Sequence, residues 1–144
     1  MTRKAPMGHI YADVTVHGRR GRKANLRLLV DTGASYSWLP STLLESLGVR
    51  PMRTDRFELG DNRVIRRRVG EAVVEILGLR ATTIVVFARR SDANVLGVHA
   101  LEGLGLEVDP YRERLKRMET LLFIHAVSVA AGTGRLDSSE PVAG

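Results

Sequence analysis

The segment Leu28-Leu-Val-Asp-Thr-Gly-Ala-Ser35 concentrates the chemistry of this chain. An apolar run brings one carboxylate, Asp31, to its end; Thr32 adds a hydroxyl, and Gly33 lets the chain turn sharply and another backbone come close. A carboxylate at the mouth of a buried strand costs free energy unless it is hydrogen-bonded or put to use. Taken alone, the triplet also reads as a plain turn that ends a strand. It has company further on, where Asn94-Val-Leu-Gly-Val-His-Ala-Leu101 repeats the logic, with Val95 and Leu96 leading into Gly97 and a short helix.

Rival chemistries are poorly supplied. Without cysteine there is no disulfide framework, no thiolate metal site and no cysteine nucleophile. The histidines at 9, 17, 99 and 125 show neither metal-ligand spacing nor a nearby acidic partner, so they read as strand-surface or helix-end residues and no metal is expected. Ser35 and Ser37 lack a nucleophile-elbow context and a matched histidine. Gly103-Leu-Gly105 reads as helix termination, since no strand and Gly-rich loop precede it as phosphate binding requires. Trp38 and Leu39, just past the Asp31 loop, read as core or pocket wall.

The elements that must position these residues are short. Ile10 to His17 alternates and is rich in β-branched residues, Gly18-Arg-Arg-Gly21 turns the chain, and Ala24 to Val30 is apolar again, which predicts strand, turn and strand. Pro40 to Leu47 predicts one short helix, capped by Ser41 or Thr42 with Glu45 placed for a capping box, and stopped by Gly48. Phe57-Glu-Leu, Gly60-Asp-Asn62 and Arg63-Val-Ile65 predict a hairpin whose returning arm ends near Gly70. Glu71 to Leu77 and Ala81 to Ala88 are two further strands around Gly78, the second apolar enough to be covered on both faces. Val98 to Leu104 predicts two turns of helix. Leu106 to Val108, the turn Asp109-Pro-Tyr-Arg112, and Leu115 to Ile124 predict a last hairpin; from Ser128 onward nothing is periodic. Short strands with frequent turns argue for an all-β barrel or sandwich rather than alternating β/α units.

At 144 residues with 44% hydrophobic and 26% charged, the chain can bury one core but not two, and it is too apolar to stay unfolded. One domain is expected over residues 1–127, with a tail over 128–144. The longest apolar stretch, Leu121 to Ala131, falls far short of the roughly 20 residues a membrane span needs. No apolar segment follows the basic start, so a cytoplasmic protein away from membranes is expected. The net charge of +6 is uneven: residues 1–23 carry six Lys or Arg against Asp13, and residues 50–68 carry seven Arg against three acids. Such an excess favours polyanions by counterion release. Aromatics are scarce and no nucleic-acid motif accompanies the run Arg66-Arg67-Arg68, so solvated faces and a charged hairpin read better than a nucleic-acid site.

Asp31-Thr32-Gly33-Ala34, followed by the hairpin around Gly60 to Asn62 and then by Val95-Leu96-Gly97 with its helix, resembles the retropepsin-like (retroviral-type) aspartic proteases. The order of all three parts is kept over roughly Ile10 to Ile124, and the bacterial and archaeal single-domain members look closer than the viral ones. The resemblance implies a closed or partly open acid-protease barrel with a flap hairpin and one or two short helices. It implies a homodimer, because one chain supplies one Asp-Thr-Gly, and an endopeptidase whose two Asp31 carboxylates activate a water without metal or cofactor. Asp31, Thr32 and Gly33 would be catalytic. Ala34, Ser35, Gly60, Asp61, Asn62 and Val98 would meet an extended polypeptide substrate. Ser35 and Val98 stand where the viral enzymes pair an Asp with an Arg, so both members of that pair are replaced together. The polar tip Gly60-Asp61-Asn62 also differs from the apolar viral flap. Leu121 to Ile124, in the last hairpin, would pair the two chains. The rival reading is a dimeric binding or scaffold module that keeps the groove, cleaves little and engages nucleic acid through its basic surface.

Overall fold

A computed structural model describes residues 9–118. Strand β1 (Tyr11–His17) alternates exposed and buried positions, turning Ala12, Val14 and Val16 inward. After a single 3-10 turn at Arg19–Gly21, β2 (Lys23–Val30) runs back antiparallel, with Val14 opposite Leu26. Then come β3 (Ser37–Pro40), α1 (Ser41–Ser46), β4 (Pro51–Glu58), β5 (Val64–Ile76), β6 (Leu79–Ala88), β7 (Val95–Leu96), α2 (Val98–Leu104), and the pair β8 (Leu106–Asp109) and β9 (Arg114–Arg117).

Among the described residues, seven strands form one sheet in the order β1-β2-β7-β3-β6-β5-β4. A further pairing of β1 with β5, with Val16 opposite Val74, closes six of them into a barrel and leaves β4 outside the ring. The all-β architecture with two short helices is the one expected. Val16, Leu28, Leu39, Leu44, Val85, Phe87 and Leu96 fill the interior, all at 2% exposure or less. Full burial of a side chain of this size stabilises by roughly 1.5–3 kcal/mol. Helix α2 adds Ala100, Leu101 and Leu104 to the core and closes one side of β6, which explains the nearly unbroken apolar run there.

The structure corrects the sequence reading in two places. The returning arm of the hairpin does not end near Gly70, nor does a new strand begin at Glu71; β5 is one strand from Val64 to Ile76. Its first half pairs with β4 and its second half with β6 and β1. Gly70 sits at the junction because a Cβ there would stand 2.6 Å from the Arg50 carbonyl oxygen, so the glycine serves a close approach and not a turn. Helix α1 is capped by Pro40 with no side-chain hydrogen bond, not by Ser41 or Thr42, and Glu45 reaches Arg68 instead of closing a capping box. Its other end stops at Gly48 as expected: with φ at +78°, the Gly48 and Val49 amides donate to the Glu45 and Leu44 carbonyls.

In the last pair, β8 and β9 flank a turn held by Asp109, whose carboxylate accepts the Tyr111 and Arg112 amides. The expected continuation to Ile124, the pairing segment Leu121 to Ile124, the domain boundary at 127 and the tail all lie outside the described residues. No helix among the described residues is long and apolar enough to cross a membrane.

Candidate active site

Strand β2 ends at Val30 and hands Asp31 to a loop fastened on two sides. The Asp31 amide donates to the Leu96 carbonyl at 2.9 Å, continuing the parallel pairing of β2 with β7. The Ala34 amide closes back on the Asp31 carbonyl at 3.1 Å, and the Gly33 amide donates to Asp31 Oδ1 at 2.9 Å, so the loop orients its own carboxylate. A second set of bonds ties the loop to the start of α2. The Val98 and His99 amides donate to the Ala34 and Ser35 carbonyls at 2.8 and 3.0 Å, and the Gly97 amide donates to the buried Ser37 Oγ at 2.9 Å. Helix N-terminal amides that would lack partners are satisfied by the Asp31 loop itself. The backbones lie so close that a Cβ on Gly97 would fall 2.5 Å from the Tyr36 carbonyl oxygen, which is why a glycine ends the Val-Leu pair.

Asp31 is exposed on the floor of a cleft of about 710 Å³. One wall is aromatic: Phe57 of β4 meets Trp38 edge-on at 5.0 Å and Tyr36 at 6.4 Å. The β4–β5 hairpin forms the roof with Leu59, Gly60, Arg63 and Ile65, and Ser91, Asp92, Ala93 and Val95 form the far side.

Of the residues singled out in the sequence, Asp31, Gly33, Ala34, Ser35 and Gly60 come together around this cleft. Thr32 instead borders a neighbouring hollow of about 490 Å³, shared with Asp31, Ile10, Val30, Val108 and Pro110. Asp61 and Asn62 lie at the hairpin tip outside the cleft lining; Asp61 is bonded to Arg63, which holds its carboxyl below the usual range, and Asn62 takes a left-handed φ of 67°. Val98 does not line the cleft either and joins the site only through its amide.

Trp38 is a pocket wall, as its place in the sequence suggested, whereas Phe57, Ile65 and Asp92 were missed. The inward alternation of Asp55 and Phe57 against Ile65 and Arg67 was the available signal for the first two. Asp92 carried no local signal, because its partner Arg67 is reached only through the fold: Nε and Nη2 donate to the two carboxylate oxygens at 2.6 and 2.9 Å. That fork lowers the pKa of Asp92 and raises that of Arg67. His17 is a strand residue, as read from the sequence, and its Nε2 lies 2.7 Å from Glu75, a distant acid that its sequence surroundings do not announce, across the β1–β5 seam. The His17 hydrogen bond, with Arg80 beside it, holds Glu75 below its usual range. The Arg66-Arg67-Arg68 run lies in the hairpin as expected, but Arg67 is bound to Asp92 and Arg68 to Glu45, so only part of it is a solvated face. Among the described residues, no three His, Asp or Glu side chains are grouped to hold a metal ion.

No curated protein matches the chain significantly. The family model described as aspartyl protease matches residues 12–114, a span that runs from β1 to the start of β9. With the Asp31 loop, the hairpin and the Gly97 crossing all inside that span, the chain belongs to the retropepsin-like aspartyl protease family.

Proposed function

We propose that this chain is an aspartic endopeptidase that works as a homodimer on an extended polypeptide. The observation that carries the reading is Asp31, exposed on the floor of a roofed cleft and oriented by the Gly33 amide. A second chain would bring its own Asp31 against the first. Two carboxylates that close cannot both carry a charge, so the pair shares one proton. The ionised member takes a proton from the water between them as that water attacks the scissile carbonyl carbon. The protonated member donates to the carbonyl oxygen, and collapse of the tetrahedral intermediate returns a proton to the leaving amine. No step uses a metal or a cofactor.

The other residues take supporting parts in this reading. Thr32, beside the neighbouring hollow, meets the partner chain, while Gly33, Ala34 and Ser35 offer backbone groups to the substrate. The β4–β5 hairpin acts as the flap, with Gly60, Asp61 and Asn62 at its tip closing over bound peptide and excluding water. The catalytic domain spans residues 1–127 and the remainder is dispensable.

The test is incubation of the purified protein with a diverse peptide library from mildly acid to neutral pH, with and without a transition-state analogue of peptide hydrolysis. Cleavage blocked by the analogue and falling more steeply than linearly on dilution is expected, as mass action requires of a site completed by two chains. Truncation after Val127 should preserve activity and truncation after Tyr111 should abolish it. A protein monomeric by sedimentation that still cuts through Asp31 would refute the two-chain mechanism.

A further inference from the structure

Resting on that peptidase reading, we propose that Arg67 and Asp92 are positioning residues that fix the height of the hairpin above the cleft, and so govern how tightly peptide is held rather than how fast it is cut. Among the described residues β4 pairs only with β5, and β5 pairs with β6 only from Val69 onward, so on the tip side of Val69 main-chain bonding does not set where the hairpin lies relative to Asp31. Side chains must do so. On the hairpin's inner face, Arg67 spends its guanidinium on three bonds: the fork to both oxygens of Asp92 and a 2.8 Å bond from Nη1 to its neighbour's carbonyl at Arg66.

The receiving end is built around the carboxylate. Asp92 Oδ2 also accepts the Arg89 amide at 2.8 Å, and the Asp92 amide donates to the Arg89 carbonyl at 3.0 Å, so the turn from Arg89 to Asp92 closes through both the side chain and the backbone of Asp92. That turn lines the cleft through Ser91, Asp92 and Ala93 and leads directly into β7, whose Leu96 carbonyl holds the Asp31 amide. The ion pair therefore spans from roof to wall.

Shielding separates it from the other ion pairs of the described residues. Its side chains are 9% and 11% exposed, against 18% and 29% for His17 with Glu75, 47% and 25% for Arg53 with Asp55, and 45% and 52% for Arg68 with Glu45. An exposed pair constrains little, whereas removing one member of a shielded fork strands the other charge. The remaining charges that face the pair are Arg89 on the wall and Asp55, opposite Arg67 in the β4–β5 register and itself bonded to Arg53. Neither offers Arg67 a second carboxylate in the wall.

The experiment compares the wild-type protein with Asp92→Asn, Arg67→Lys and the double variant Arg67→Met/Asp92→Asn, by peptide kinetics and by hydrogen exchange. For Asp92→Asn we expect KM to rise about tenfold with kcat within about twofold, the signature of lost uniform binding. Backbone amides of residues 57–65 should exchange faster in the same variant, while those of β1 and β6 stay unchanged. Arg67→Lys, which keeps the charge but not the fork, should show a smaller rise in KM. If Asp92→Asn does not fold, the double variant, which leaves no stranded charge, provides the same readouts. A fall in kcat with KM unchanged, or hairpin exchange unaffected by loss of the pair, would overturn the proposal. A wild-type protein that cuts no peptide would count against the peptidase reading, whereas the exchange rates still report whether the pair holds the hairpin.

Discussion

At the Asp31 loop the fastening is main-chain, with the Asp31, Val98 and His99 amides donating to the Leu96, Ala34 and Ser35 carbonyls. On the tip side of Val69, where β5 has no pairing with β6, the β4–β5 hairpin reaches the barrel through side chains instead: Phe57 against Trp38, Arg67 on Asp92, Arg68 on Glu45. Main-chain bonds of this kind depend little on which side chains the residues carry, provided they are small enough to let two backbones meet. They leave a narrow set of allowed residues and a rigid product. A side-chain tether has the opposite character, since it can be weakened, strengthened or titrated one residue at a time. In the proposed peptidase the carboxylate needs the first kind of support, and a hairpin that closes over different peptides needs the second.

The most damaging test of this contrast is at the carboxylate. Asp31→Asn keeps volume and the Gly33 hydrogen bond but removes the carboxyl on which the proposed two-chain site depends, so peptide cleavage should fall to background while thermal unfolding and sedimentation stay those of the wild type. Retained cleavage would move the chemistry elsewhere. Next in size is a pair of glycines. Gly97→Ala drives a Cβ to within 2.5 Å and 2.6 Å of Tyr36 backbone atoms, and neither backbone can step aside without breaking the crossing. A loss of about 2–3 kcal/mol in denaturant unfolding is expected, at the upper end of ordinary overpacking. Gly60→Ala, with nothing within 4 Å of its Cβ, should stay within about 0.5 kcal/mol of wild type. Equal effects at the two positions would erase the distinction between main-chain crossing and open hairpin.

A smaller effect is expected at Phe57. Its edge-on contacts with Trp38 and Tyr36 put the aromatic wall and the hairpin in register, and such a contact contributes on the order of 1 kcal/mol beyond the area it buries. Phe57→Ala should therefore lower stability modestly, and hydrogen exchange should place the change in the hairpin rather than in β1 or α2. A change spread evenly over the barrel would show that the hairpin is not a separate unit.

The same contrast explains what could be read from the sequence. Asp31-Thr32-Gly33 and Val95-Leu96-Gly97 are contiguous, and the demand of a close crossing falls on single small residues, so both were legible without knowing the fold. So was the hairpin, because Gly60-Asp61-Asn62 announces its tip locally. The junction at Gly70 was not, since a glycine that ends a strand and a glycine that admits Arg50 beneath a continuing strand look alike in sequence. Arg67 with Asp92 and His17 with Glu75 were hidden for another reason. Each pair joins segments distant in sequence, Arg67 with Asp92 at the end of the β5–β6 pairing and His17 with Glu75 across the β1–β5 closure, and in a chain with this many arginines no acid advertises its partner. The cap of α1 was misread because Ser41 and Thr42 already lie inside the helix that follows Pro40.

The smallest expected effect is also the one that separates the two regions without a mutation. Arg67 lowers the Asp92 pKa, and Arg63 lowers that of Asp61, so both carboxylates in the hairpin's network favour the folded state while ionised. A carboxyl with a depressed folded pKa contributes fully above its unfolded value, near 3.9 for aspartate, and its contribution fades as pH falls through the folded value. Acidification should thus loosen the hairpin. Asp61 and Arg63 are exposed and screened by solvent, so nearly all of the effect should come from the shielded Asp92. The crossing between the Asp31 loop and α2 rests on amide–carbonyl bonds and on the Gly97 amide's bond to the Ser37 hydroxyl, none of which involves an ionisable group. Protection factors corrected for intrinsic exchange, followed from pH 5 downward, should therefore fall for residues 57–67 before they fall for residues 96–101. In Asp92→Asn the hairpin should start less protected and change little over the same range, because the group that titrates is gone. If both regions lost protection together in the wild-type protein, acid would be acting on the barrel as a whole, and the side-chain tether would not be what holds the roof.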